Sequence, residues 1–168
     1  MSVKYNKFFK HFWKDEKIFK LEPIEKLISA YLFSGQSNRI GIFYFSIAMA
    51  LEDTGLDRET FEERYRNVCQ TLGWRFDNVS RVLYIPSWWK HNPPENQNVL
   101  IGNLKDIDEL PNSELISDFS QNVMFLNEKF HKIFFETLPK RYRNVTETYA
   151  KSVSVSVSKT ITVPSSTV

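Results

Sequence analysis

A single cysteine, Cys69, in 168 residues leaves no partner for an intramolecular disulfide and no thiolate set for a zinc centre. It reads as a small buried hydrophobe. The three histidines, His11, His91 and His131, stand far apart, with no pair at helical ligand spacing. No serine or cysteine lies in a nucleophile motif, so the expectation is a protein that is not an enzyme and holds no metal or cofactor. No apolar run approaches the ~18 residues that span a bilayer, and the N-terminus interleaves lysines with aromatics instead of forming an apolar signal segment. A soluble, cytoplasmic protein without membrane contact is expected. A strong charge excess is also lacking, the formal net charge being +2.

Apolar residues make up 42% and charged residues 25%, a globular balance, and 15% aromatic content points to an aromatic-rich core. The small net charge hides a gradient. Residues 1–20 carry six lysines against Asp15 and Glu16, and residues 140–168 carry five basic side chains against Glu147, so each end is +4. The remaining 21–139 is −6, with 11 basic and 17 acidic residues. Nucleic-acid contact, if made, must therefore be local.

Residues 1–22 read as an aromatic and basic arm. Pro23 opens an amphipathic helix over 23–34, with Ile24, Leu27, Ile28, Tyr31 and Leu32 at three- and four-residue steps. A short strand is predicted over 41–45. Ser46 then caps a helix to Glu52, a turn at Asp53-Thr54-Gly55 follows, and Asp57 caps a second helix whose stripe is Phe61, Tyr65, Val68, Cys69 and Leu72. Gly73 ends it. Strands over 74–76 and 82–85 form a hairpin around residues 77–80, and Pro86 stops the second. A helix from Glu95 or Asn96 to Ile107 should place Val99, Leu100, Leu104 and Ile107 on one side; weaker helices cover 113–120 and 126–138. The expected organisation is an arm over 1–22, a winged helix-turn-helix over 23–92, a helical extension over 93–140 and a low-complexity, disordered tail over 141–168. The fold class is mainly α with a small β-hairpin, α+β.

Strand, helix, tight turn, helix, hairpin is the chain order of a winged helix-turn-helix, whose second helix enters a major groove while the hairpin reaches a flanking phosphate or minor groove. With the 61/65/68/72 stripe inward, Arg58, Arg66, Asn67 and Gln70 face outward, and these are types that read base edges or phosphates. Glu59, Glu62 and Glu63 accompany them and oppose phosphate. Arg75 and Arg81 flank the hairpin turn; residue type alone supports a phosphate grip and two solvated arginines equally well. Lys4, Lys7 and Lys10 of the arm add salt-sensitive attraction. Asp106, Asp108 and Glu109 form an acidic knot expected to be solvated, and Trp88-Trp89 is expected to pack the hairpin against the following helix.

Taken together, residues 5–9, 12–18, 21–26, 30–32, 38–43 (Asn-Arg-Ile-Gly-Ile-Phe), 52–60 (Glu-Asp-Thr-Gly-Leu-Asp-Arg-Glu-Thr) and 85–93 (Ile-Pro-Ser-Trp-Trp-Lys-His-Asn-Pro) resemble the N-terminal winged-helix domain of phage and prophage replication proteins, replisome organisers of the DnaD-like type. The resemblance spans about 5–115. It implies binding of double-stranded origin DNA and self-association. It also implies a separate C-terminal domain, expected to be missing from this chain, that engages the replicative helicase or its loader. One departure is Leu51, where such units often carry a small residue at the closest helix crossing; a wider crossing, or accommodation by Ala50, is expected. The alternatives are a winged-helix module that mainly dimerises through the arm, and a transcriptional regulator of the same fold.

Overall fold

The computed structural model describes residues 12–138; the arm lysines Lys4, Lys7 and Lys10 and the expected low-complexity tail lie outside the described residues. Among the described residues the chain forms eight α-helices and one three-stranded antiparallel sheet, an α+β arrangement.

Helix α1 (Glu16–Phe19) starts on Asp15, whose carboxylate accepts the Lys17 amide at 2.9 Å. Helix α2 (Pro23–Tyr31) has proline in its first turn, and Glu25 reaches back to the Glu22 amide at 2.9 Å. The helix expected to 34 gives way after Tyr31 to a wider turn, Leu32–Gln36. The hydroxyls of Ser34 and Ser37 donate to the carbonyls four residues back, Ala30 and Phe33, each at 2.6 Å, which loosens the ladder there.

Strand β1 (Ile42–Tyr44) is followed by α3 (Ile47–Thr54), capped by Ser46, and by α4 (Arg58–Leu72), whose Thr60 amide donates to Asp57 at 2.9 Å. Gly55 and Gly73 close the two helices in left-handed conformation, φ 69° and 70°. Ala50 is fully buried and Leu51 half-buried beside it, so the small side chain lies inside and the longer one at its edge. Strands β2 (Arg75–Asp77) and β3 (Val82–Tyr84) form the hairpin, and β3 is central, with Leu83 opposite both Phe43 and Phe76.

Because side chains alternate along a strand, the sheet has two working faces. One meets α4 through the rings of Phe45, Phe61, Tyr65 and Phe76, whose centroids lie 5.3–6.2 Å apart. The other meets helix α7 (Leu115–Gln121), where Phe119 stands edge-on to Tyr84 at 6.0 Å. Residues 93–138 thus share a continuous core with the preceding segment.

Helix α5 (Trp88–His91) buries both tryptophans, and the Trp88 indole donates to the Arg39 carbonyl at 2.9 Å. Helix α6 (Gln97–Leu104) begins on the Asn96 cap but stops short of Ile107, because a tight turn, Lys105–Glu109, takes over. That turn carries Asp106 inward. The expectation that this acid is solvated is wrong: it is 3% exposed and held by Arg39, whose Nε and backbone N–H donate to Oδ2 at 3.0 and 3.1 Å while Nη2 donates to Oδ1. Val99, expected on the buried side with Leu100, Leu104 and Ile107, is exposed, since at 100° per residue it stands 100° or more around α6 from Leu100 and Leu104. The expected 126–138 helix is likewise broken: Asn127 caps a short turn, Glu128–Phe130, before α8 (His131–Thr137) begins.

Two predictions test this architecture. A Cβ on Gly41, which has φ 74°, would approach Trp88 to 2.3 Å, whereas none at Gly55 or Gly73 would meet an atom within 4 Å. Gly41→Ala is expected to cost about 3 kcal/mol or more, and Gly55→Ala and Gly73→Ala about 1 kcal/mol each from backbone strain alone, read from urea midpoints. Arg39→Ala strands a buried carboxylate and is expected to cost about 3 kcal/mol, most of it recovered in an Arg39→Met/Asp106→Leu double variant.

Candidate nucleic-acid interface

Helix α4 buries Phe61, Tyr65 and Val68, so at 100° per residue its solvent face is Glu59, Glu63, Arg66 and Gln70. Arg66 and Gln70 are exposed, as expected. The other two sequence candidates are engaged. Arg58 pairs with Glu62 one turn on at 3.0 Å, and Asn67 donates to Glu25 Oε1 at 3.2 Å. Glu25 is 6% exposed and also draws Arg64 to 3.6 Å, so this flank of α4 contacts α2, with Arg64 half-buried and Asn67 still exposed. Asn67 is itself exposed, and one of its amide donors serves this buried carboxylate.

The hairpin's two arginines have different surroundings. Arg75, at the start of β2, is ion-paired to Asp118 of α7 at 2.5 Å, and both side chains are partly exposed. Arg81 lies at the other end of the hairpin, exposed, and is the one non-glycine residue with positive φ among the described residues, at 57°. Its carbonyl accepts the Phe45 amide at 2.7 Å, so the residue is locked to β1 while its side chain faces solvent.

The turn between them is built on Asp77. Its carboxylate accepts from the Val79 and Ser80 amides at 2.9 and 3.2 Å and from the hydroxyls of Ser80 and Ser113 at 2.6 and 2.7 Å. These bonds, led by the Ser80 and Ser113 hydroxyls, pull its pKa down to about 2. Val79 is 95% exposed at the tip. Neither Ser113 nor Asp118 was singled out in the sequence, since each meets its partner only through the fold.

A groove of about 620 Å³ opens at the end of β2 away from the hairpin tip. Its floor includes Phe12, Ile18, Phe33 and Trp74, and Lys14, Lys17 and Lys90 stand on its rim, Lys90 paired to Asp15 at 3.2 Å. Burial, reinforced by Lys90, lowers the pKa of His91 there. Among the described residues no group of three or more His, Cys, Asp or Glu side chains is placed to hold a metal ion, and no helix is long and apolar enough to cross a membrane. No family model, curated protein or solved structure matches this chain.

Holding an arginine in left-handed backbone costs about 1 kcal/mol or more, which glycine would not incur. Arg81→Gly is therefore expected to raise the urea midpoint, by the equivalent of up to about 1 kcal/mol after allowing for the glycine's greater freedom in the unfolded chain. A lowered midpoint would mean that the arginine side chain contributes packing.

Proposed function

We propose that this chain is a DNA-binding module of winged helix-turn-helix type, serving replication initiation as a replisome organiser of the kind found in phages and prophages. The chain order β1, α3, α4, β2, β3, with β1 closed onto β3, supports a helix-turn-helix at α3 and α4 with β2 and β3 as its wing. The observation that carries the reading is Arg81: a cationic side chain kept at an energetic cost in the exposed hairpin loop, where a wing meets phosphate or a narrow minor groove.

Charge sets the expected affinity. The outward face of α4 presents Glu59 and Glu63 against Arg66, so this helix attracts DNA weakly. Attraction comes from Arg81 and from the lysines at and before α1, including Lys14, Lys17 and Lys20. Arg66 and Gln70 are the base-edge candidates and Arg58 a phosphate candidate once released from Glu62. Arg75, occupied by Asp118, acts in this reading as a pin for the wing. The module would work in the cytoplasm on duplex DNA, as a homo-oligomer. A C-terminal domain on the same pattern would recruit the helicase or its loader.

A second reading is a module that mainly self-associates. It is favoured by exposed apolar side chains at Phe19, Ile24 and Leu27, which are 76, 37 and 47% exposed on α1 and α2.

The test is fluorescence anisotropy of a labelled duplex between about 50 and 200 mM salt. A salt-sensitive complex is expected. Arg81→Ala should weaken binding across sequences and lower the salt slope by about one, whereas Arg66→Ala should also relax sequence preference. No complex at low salt, together with a mass by light scattering that falls when Phe19 and Leu27 are replaced by serine, would turn the reading to self-association.

A further inference from the structure

We propose that Ser113, acting through Asp77, is a positioning residue for the wing: the start of α7 fixes the direction in which Arg81 leaves the hairpin. The inference rests on the DNA-binding reading above and adds to it a part for the extension that follows the winged-helix segment.

The strands are too short to do this alone. Each of β1, β2 and β3 has three residues, and an isolated two-stranded hairpin of that length is at best marginal in water. What supplies rigidity is a row of side-chain bridges from one helix to one face of the sheet. Ser113 donates to Asp77 at 2.7 Å, Asp118 pairs with Arg75 at 2.5 Å, and Asn122 donates to the Tyr84 hydroxyl at 2.7 Å and to the Pro86 carbonyl at 3.1 Å. Arg75 and Asp77 lie two residues apart on β2 and so share a face, the one α7 covers.

Among these bridges Ser113 has a distinct position. Its hydroxyl accepts the Leu115 amide at 3.3 Å, which ties it to the first turn of α7, while it donates to the carboxylate that organises the whole hairpin turn. Asp77 holds Val79 and Ser80 directly, and Arg81 is the next residue, already constrained by its carbonyl bond to Phe45. Freedom at Asp77 is therefore passed to the wing residue whose side chain must find phosphate. A wing that must be ordered on binding loses affinity through entropy, without losing any contact.

That distinction sets the experiment. In Ser113→Ala, amide hydrogen exchange at Val79, Ser80 and Arg81 is expected to quicken several-fold while the rest of the core is unchanged. Duplex affinity should fall about three- to tenfold with the salt slope intact, because no phosphate contact is removed. Ser113→Thr, which keeps the hydroxyl, should restore both. Arg81→Ala is the contrasting variant, losing affinity and about one unit of slope together. Unchanged exchange at the tip overturns the proposal whatever happens with DNA. Faster exchange with unaltered affinity also overturns it, as does an affinity loss that carries the slope down, which would make Ser113 itself a phosphate contact. Absence of any complex with the unaltered chain sinks the DNA-binding reading instead. It is told apart from failure of the clamp by the exchange rates, which require no DNA.

Discussion

The ion pair between Arg39 and Asp106 is the constraint on which most of this structure depends. It joins the residues just before β1 to the turn after α6, 67 positions later. Arg39 is satisfied on three sides: its guanidinium and its backbone N–H both serve Asp106, and its carbonyl accepts the Trp88 indole. Charge-assisted bonding to Asp106 raises the arginine's pKa further. A buried pair of this kind contributes little net stability against a hydrophobic alternative, because desolvation offsets attraction. Its effect is on register. With Asp106 drawn inward, α6 must end at Leu104, and the chain meets the core at Ile107 in a tight turn. With Trp88 held on the Arg39 carbonyl, only glycine fits at position 41.

What was legible in the sequence was what the chain decides locally. The caps at Ser46, Asp57 and Asn96 and the left-handed stops at Gly55 and Gly73 depend on residues within one turn of each other, and each is found where its residue type places it. The stripe of α4 was legible for the same reason. The boundary at Ile107 is misplaced because a distant group, Arg39, intervenes, whereas the break after Leu126 is local, Asn127 capping a new turn. The bond from Asn67 to Glu25 was not legible because the two residues lie 42 positions apart. A local signal did exist. Glu25 lies at the third position of α2 beside Ile28, on the side that must meet another helix, and a carboxylate there needs donors from that neighbour.

Accounting for those partners changes which charges remain available. Of the six residues read from sequence as contacts in the described region, Arg58, Asn67 and Arg75 are engaged with Glu62, Glu25 and Asp118. All six are exposed, so the difference between them lies in their partners. The engaged ones are not equivalent. An exposed pair such as Arg58 with Glu62 is worth a few tenths of a kcal/mol, little enough for a phosphate to displace it. Asn67 serves a carboxylate that is nearly buried, and releasing it would leave that charge short of a donor. Electrostatics thus separates a reversible contact from a structural one on the same helix.

The same comparison separates the two ends of the hairpin. At Arg75 every local preference is met: extended backbone, an opposite charge, a covering helix. At Arg81 one is violated, since an arginine occupies backbone that favours glycine or asparagine. The surroundings explain how the violation is tolerated: Asp77 fixes the preceding turn with four accepted bonds, and Phe45 holds the carbonyl. They do not explain why the side chain is arginine. Among the described residues no side chain pairs with its guanidinium. The turn that carries it is held from α7 by the Ser113 bond to Asp77 and the Asp118 pair with Arg75, so its backbone is fixed from that helix as well as from β1.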